Sequence, residues 1–297
     1  MRCLQEIMMN RDHIPEDDTI IQPVNRLLHY FAQKDHDNFL VGLFGTDMKK
    51  NVVTEMRLAV AFTEHMFSKL ASPSYILDNH STSLNYVCVC GCNTNLLDKA
   101  GNTSIGNELT WHGYLDILVG VDGVPITVGC RESSPRGKTP IEVKYDTDME
   151  DMEAQQKIIA QTIVFSFLQK KRHPDYKHFL IPSVFISEQQ IMFFFYDSEN
   201  DILMRTPPIE LMKGNKLSYY AVVALWFVLN YKTLGSGIPE TVSVPKANFF
   251  EHAKDSLIVY QNFLTFGNVN KSANKPRLIH PPYCPDARFK PEFFTFE

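Results

Sequence analysis

Residues 113–128, GYLDILVGVDGVPITV, constrain the fold more than any other part of the chain. Two runs rich in β-forming residues flank Asp122-Gly123, a dipeptide suited to a tight hairpin because the central positions of such a turn need positive φ. The spacing predicts a strand over 113–121 that turns into a second strand over 124–128. Asp116 interrupts the apolar pattern of the first strand. A charge in a buried strand is costly unless something compensates it, so Asp116 is either a site residue or half of an ion pair.

The loop RESSPRGKT, 131–139, leads to a third expected strand over 140–145, PIEVKY. On a strand, Glu142 and Lys144 project from one face while Val143 points the other way, leaving its carbonyl to help hold an ion. If the strand of Asp116 pairs beside this one, the carboxylates of Asp116 and Glu142 converge. Two such carboxylates repel and need a cation or a proton between them. Magnesium suits oxygen donors of this kind and keeps water and phosphate oxygens in its shell. Lys144 would then orient or deprotonate an attacking water, or steady charge developing on phosphorus.

Helical spacing marks an amphipathic stretch over 19–32 and a helix over 51–70, with Val52, Met56, Val60, Thr63, Phe67 and Leu70 on one face. NYVCVCG, 85–91, alternates like a strand, and 93–108, rich in Asn, Gly and Thr, reads as a loop. A long helix is expected over 149–171, then strands over 179–186 and 190–196. An aromatic helix over 217–229 must be buried on most of its surface, and another lies near 252–264. This order predicts an α/β (α+β) architecture: a central mixed sheet flanked by helices. Three parts are expected: an N-terminal helical cap, 1–50; a core, 51–200; and a helical extension, 201–297, packed on that core.

An acid on one strand, E-x-K on a later one and a Gln-bearing helix after it resemble the PD-(D/E)XK nuclease superfamily, with its restriction-endonuclease-like core. The resemblance covers about residues 51–200. It implies a helix, a three-stranded meander, a helix and a further strand. It also implies Mg²⁺ or Mn²⁺ bound by Asp116, Glu142 and the Val143 carbonyl, with Lys144 as the catalytic lysine. Members acting on DNA ends carry Gln followed four residues later by an aromatic; Gln161 and Phe165 fit, and Gln156 competes. A glutamate on the first helix often completes the site, here Glu55 or Glu64. Two departures stand out: Leu115 replaces the usual proline before the aspartate, and 26 positions separate Asp116 from Glu142. The implied activity is hydrolysis of DNA or RNA. The alternative is a degenerate nuclease fold that binds nucleic acid or protein.

The net charge of −5 tells against a broadly basic nucleic-acid binder, although a local basic groove can sit on an acidic protein. Arg131, Arg136 and Lys138 would clamp a phosphate backbone, or else belong to a soluble connection. Lys170, Lys171 and Arg172 suit a helix C-terminus. The alternative for Asp116 is a structural pair with Lys144 across the sheet, and for Gln161 an ordinary exposed helix position. His112 reads as structural. Cys88, Cys90 and Cys92 alternate, and with no second cluster among the other cysteines, Cys3, Cys130 and Cys284, they read as buried strand thiols. The 217–231 segment would dock a partner or a second copy, giving a possible homodimer. Neither a signal peptide nor a membrane span is expected, which suggests an intracellular protein, cytoplasmic or nuclear.

Overall fold

The computed structural model describes residues 18–33, 38–39, 55–71, 74–80, 86–88, 90–120, 124–128, 152–187, 189–214, 216–239, 241–267 and 269. Glu142, Val143, Lys144, Arg131, Arg136, Lys138, Cys130 and Cys284 lie outside them, as does the expected strand over 140–145.

Helix α1 (Asp18–Ala32) opens the described chain, and α2 (Glu55–Phe62) runs on through a π-helical turn, Thr63–Phe67, into the short α3 (Ser68–Leu70). This helical run is more deeply enclosed than one apolar face implies: Leu58, Ala59, Val60, Ala61, Phe62 and Thr63 are consecutive and fully buried. A helix apolar all round belongs inside a core.

Among the described residues thirteen strands follow in chain order. The first six are β1 (Tyr75–Asp78), β2 (Ala100–Gly101), β3 (Ser104–Gly106), β4 (His112–Tyr114), β5 (Ile117–Val119) and β6 (Val124–Val128). Helix α4 (Met152–Arg172) separates these from β7 (Leu180–Ile186), β8 (Gln190–Asp197), β9 (Ile202–Arg205), β10 (Ile209–Glu210), β11 (Met212–Lys213) and β12 (Lys216–Leu217). Helices α5 (Tyr219–Leu229), α6 (Tyr231–Leu234), α7 (Phe249–Ala253) and α8 (Leu257–Asn262) and then β13 (Thr265–Phe266) complete the described chain.

Eight strands make one mixed sheet in the order β10-β8-β7-β6-β5-β1-β2, with β9 also on β8. β1, β5 and β6 form an antiparallel meander, and β6 pairs with β7 in parallel. A parallel pair needs a long crossover, and α4 lies in it. β5 and β6 pair antiparallel as expected, with Val119 opposite Val124 and Ile117 opposite Ile126, while the expected Asp122-Gly123 turn lies outside the described residues. β13, β3 and β4 form a separate three-stranded sheet.

Helix α4 ends at Arg172, just before His173-Pro174, and packs on the sheet face that carries Ser183 and Phe185. Thr162 and Ser183 meet through their hydroxyls, and Ile158 clusters with Phe185, Met192 and Phe194. Helix α5 buries Ala221, Val222, Leu225, Trp226 and Val228, and the Trp226 indole donates to the Pro23 carbonyl of α1 at 2.8 Å. Among the described residues no helix is long and apolar enough to cross a membrane.

Three expectations need correction. The segment 113–121 is not one strand: it breaks at Leu115 and Asp116, leaving β4 in the small sheet and β5 in the large one. The segment 93–108 holds β2 and β3, because its Asn side chains cap local turns that strand patterning does not register, as with Asn102 Oδ1 accepting from the Ser104 N–H. The cysteine segment is a turn: Val87 makes an isolated bridge with Asn95, and Cys90, Gly91 and Cys92 are turn residues. The hydrophobic alternation there is cut short by Gly91 at φ +94°, a conformation glycine adopts without strain.

Candidate functional site

Asp116 stands at the corner where the chain leaves the small sheet for the large one. Its Oδ2 accepts the Val128 N–H at 2.8 Å, and its carbonyl accepts the Asp78 N–H at 3.0 Å. The first bond closes the end of β6 over the corner; the second ties β1 to it. Burial pushes the Asp116 carboxyl above its ordinary range. The Lys157 ammonium and the Val128 N–H pull it back down, and Asp78 adds a smaller push upward.

Asp78 is committed within the protein. Its Oδ1 accepts from the Thr103 hydroxyl at 2.8 Å, its Oδ2 from the His80 N–H at 3.2 Å, and its carbonyl from the Tyr86 hydroxyl at 2.8 Å. His80 stacks on Tyr114 with ring centroids 3.8 Å apart.

Gln161 lies in the same mesh. Its Oε1 accepts from the Thr127 hydroxyl at 2.7 Å, and its Nε2 donates to the Tyr114 carbonyl at 2.9 Å. It is buried, so α4 is bonded to both sides of the corner by one amide, and Gln161 is not the exposed helix position imagined as its bland alternative. Phe165, one turn on, is buried as well.

Both edges of β5 are occupied, by β1 on one side and β6 on the other. The carboxylate that strand pairing brings to Asp116 is therefore that of Asp78. A convergence of Glu142 on Asp116 would have to come by a route other than pairing alongside β5.

Of the other expected residues, Glu55 begins α2. Glu64 lies in the π-helical turn, 4.0 Å from Lys69 Nζ. Gln156 is half-buried, while its neighbour Gln155 accepts from Arg205 at 2.9 Å. His112 is exposed, with Nδ1 3.3 Å from the Thr110 carbonyl. Lys170 lies 3.6 Å from Glu199, Lys171 donates to the Leu264 carbonyl at 3.2 Å, and Arg172 lies over the Phe266 ring.

The cysteine turn holds a second constellation that sequence reasoning missed. His65 Nε2 lies 3.0 Å from Cys90 Sγ, 3.4 Å from Cys88 Sγ and 3.6 Å from Cys92 Sγ. Cys88 is buried, Cys90 half-buried and Cys92 exposed, so the three are not simply core thiols. Burial, and then the Lys69 charge, push the His65 imidazolium pKa down and favour the neutral ring. Burial pushes the Cys88 and Cys90 thiols up. At Cys92, contacts with Thr94 and the other thiols outweigh burial and bring the thiol below its ordinary value. The signal that could have found this group was the helical His65, but nothing in a 23-residue separation ties it to Cys88 in the sequence.

No family model, curated protein or solved structure matches the chain.

Proposed function

We propose that the chain hydrolyses phosphodiester bonds in nucleic acid with a divalent cation, on a core related to the PD-(D/E)XK nucleases. The observation that carries this reading is the chain order α2, β1, β5, β6, α4, β7, with β2, β3 and β4 inserted between β1 and β5 and an antiparallel meander made in the sheet by β1, β5 and β6. It is similar to the helix, meander, helix and strand that the resemblance implies, while the expected strand over 140–145 lies outside the described residues. Asp116 opens the middle strand of that meander, and Gln161 of the following helix is bonded to the residues around it.

The described part of the site fits a hard divalent ion, though as an incomplete set. Burial raises the Asp116 carboxyl, opposed by the Lys157 ammonium and the Val128 N–H, with a smaller upward push from Asp78, and a cation would add to the opposing side. The oxygens bonded to Val128, Thr103 and His80 each accept one bond and keep a lone pair for a cation, and the resemblance assigns the remaining donors to Glu142 and the Val143 carbonyl. When bound, Mg²⁺ or Mn²⁺ supplies charge stabilisation at phosphorus and a more acidic water.

The roles of Glu142 and Lys144 are those the resemblance implies for E-x-K at 142–144. In the proposed reaction Asp116 and Glu142 hold the ion, Lys144 orients or deprotonates the attacking water, and Gln161 braces the corner that carries Asp116. Arg131, Arg136, Lys138 and Gln156 hold the phosphate backbone.

Glu142→Ala and Lys144→Ala tests this directly. Each is expected to lower cleavage by on the order of a hundred- to ten-thousand-fold with an unchanged melting curve. Wild-type rates in both folded variants would overturn the assignment.

A second reading is a catalytically degenerate fold used for binding. It is favoured by Gln161, whose amide is spent at both ends on internal contacts, and by the net charge of −5. Absence of Mn²⁺ binding in a calorimetric titration, together with retained nucleic-acid binding, would favour it.

A further inference from the structure

We infer that His65, Cys88, Cys90 and Cys92 form a structural zinc(II) site of the Cys₃His type, separate from the acidic corner. The four ligand atoms all lie within 4.8 Å of one another. The imidazole nitrogen is 3.0, 3.4 and 3.6 Å from the three sulfurs, and Cys88 Sγ is 3.4 Å from Cys90 Sγ. A zinc ion with Zn–S near 2.3 Å and Zn–N near 2.0 Å has tetrahedral edges of about 3.5–3.8 Å. The space thus fits one small ion after slight expansion, and it is too tight for an iron–sulfide cluster with its own bridging atoms.

The donor set selects the metal. Three thiolates and an imidazole are soft and borderline ligands that suit zinc and not magnesium or calcium, which take oxygen. Four protein ligands fill a tetrahedron and leave no position for water or substrate, the mark of a structural and not a catalytic centre.

The backbone is shaped to deliver these side chains. The Cys88 N–H donates to the Thr94 carbonyl at 2.8 Å, and the Leu96 N–H to the Tyr86 carbonyl at 3.0 Å, making a short stem closed by the Val87–Asn95 bridge. At the tip Gly91 has φ +94°, and a Cβ there would meet nothing within 4 Å. The glycine serves the turn of the chain between Cys90 and Cys92, not close packing. On the other segment, His65 sits in the π-helical turn, where an added residue per turn re-aims side chains. Its ring stacks on Phe39 with centroids 4.8 Å apart, which fixes its plane.

The site therefore ties the helical run 55–70 to the 86–96 turn. That turn reaches β1 through the Tyr86 hydroxyl on the Asp78 carbonyl, so metal at the thiols braces the strand beside Asp116. The inference does not depend on the proposed catalysis.

The test uses the full chain purified under reducing conditions, with its zinc content measured by elemental analysis. About one zinc per chain is expected. Cobalt(II) titrated into the metal-stripped, reduced protein should give the intense visible bands of a tetrahedral thiolate site. Saturation is expected at about one equivalent, with bleaching by zinc. His65→Ala and Cys90→Ser should lose the spectrum, while Cys130→Ser keeps it. Wild-type protein with free thiols but neither zinc nor a tetrahedral cobalt spectrum would overturn the inference, whether or not the variants fold. So would a spectrum that survives Cys90→Ser but is lost in Cys130→Ser.

Discussion

At the residue scale, Asp116 combines an ordinary structural bond, to the Val128 N–H, with an unfavourable electrostatic setting. Its carboxyl is raised by burial, so the neutral form is the one the fold prefers. A raised group contributes stability that is complete below its unfolded value, near 3.9, and is lost as pH rises through its folded value. In the absence of divalent cations, Asp116→Asn should therefore melt at a higher temperature than wild type at pH 7, with the difference vanishing toward about pH 4. A variant that melts lower at pH 7 would show that the charged carboxylate stabilises the fold. Sequence reading singled out Asp116 because an acid in an apolar strand is conspicuous. It singled out Gln161 through the resemblance, but not its buried amide contacts. His65 was invisible because its partners come from a different segment, and no local spacing encodes that approach.

At the element scale, hydrophobic pattern located α1, α4, α5, β7 and β8 to within a few residues, since long apolar runs have few alternative placements. It failed where polar side chains rewrite the backbone. The split of 113–121 follows from bonds to Asp116, and β2 and β3 lie among Asn-capped turns. The π-helical turn has no signature in a 3.6-residue period, and uniform burial of 58–63 hides the register change.

Asp201 shows how such polar groups hold elements together. At φ +54°, it accepts from the Tyr196 hydroxyl at 2.8 Å and from the Phe249 and Phe250 N–H groups at 3.2 Å, docking the start of α7 on β8. Asp201→Ala leaves three donors without their acceptor and should lower unfolding free energy by about 2–4 kcal/mol in urea. Asp201→Asn, which tolerates the left-handed backbone, should lose less. A change below about 0.5 kcal/mol in the alanine variant would mean that water replaces these bonds at little cost.

At the scale of the molecule, the mixed sheet with helices against it was legible from element order alone. The strand order was not, because nothing local states that β1 rather than a later strand flanks β5. That topology sets Asp78 beside Asp116, and the expected roles of Glu142 and Lys144 rest on the resemblance. The most direct measurement of phosphodiester hydrolysis is cleavage of labelled single- and double-stranded DNA and RNA by the folded wild-type chain purified under reducing conditions. Mg²⁺ or Mn²⁺ is withheld or added without a strong chelator. Cleavage that appears only with the added ion, and is absent in Lys144→Ala, is the expected result. No cleavage of any substrate with either ion by the folded protein would contradict it.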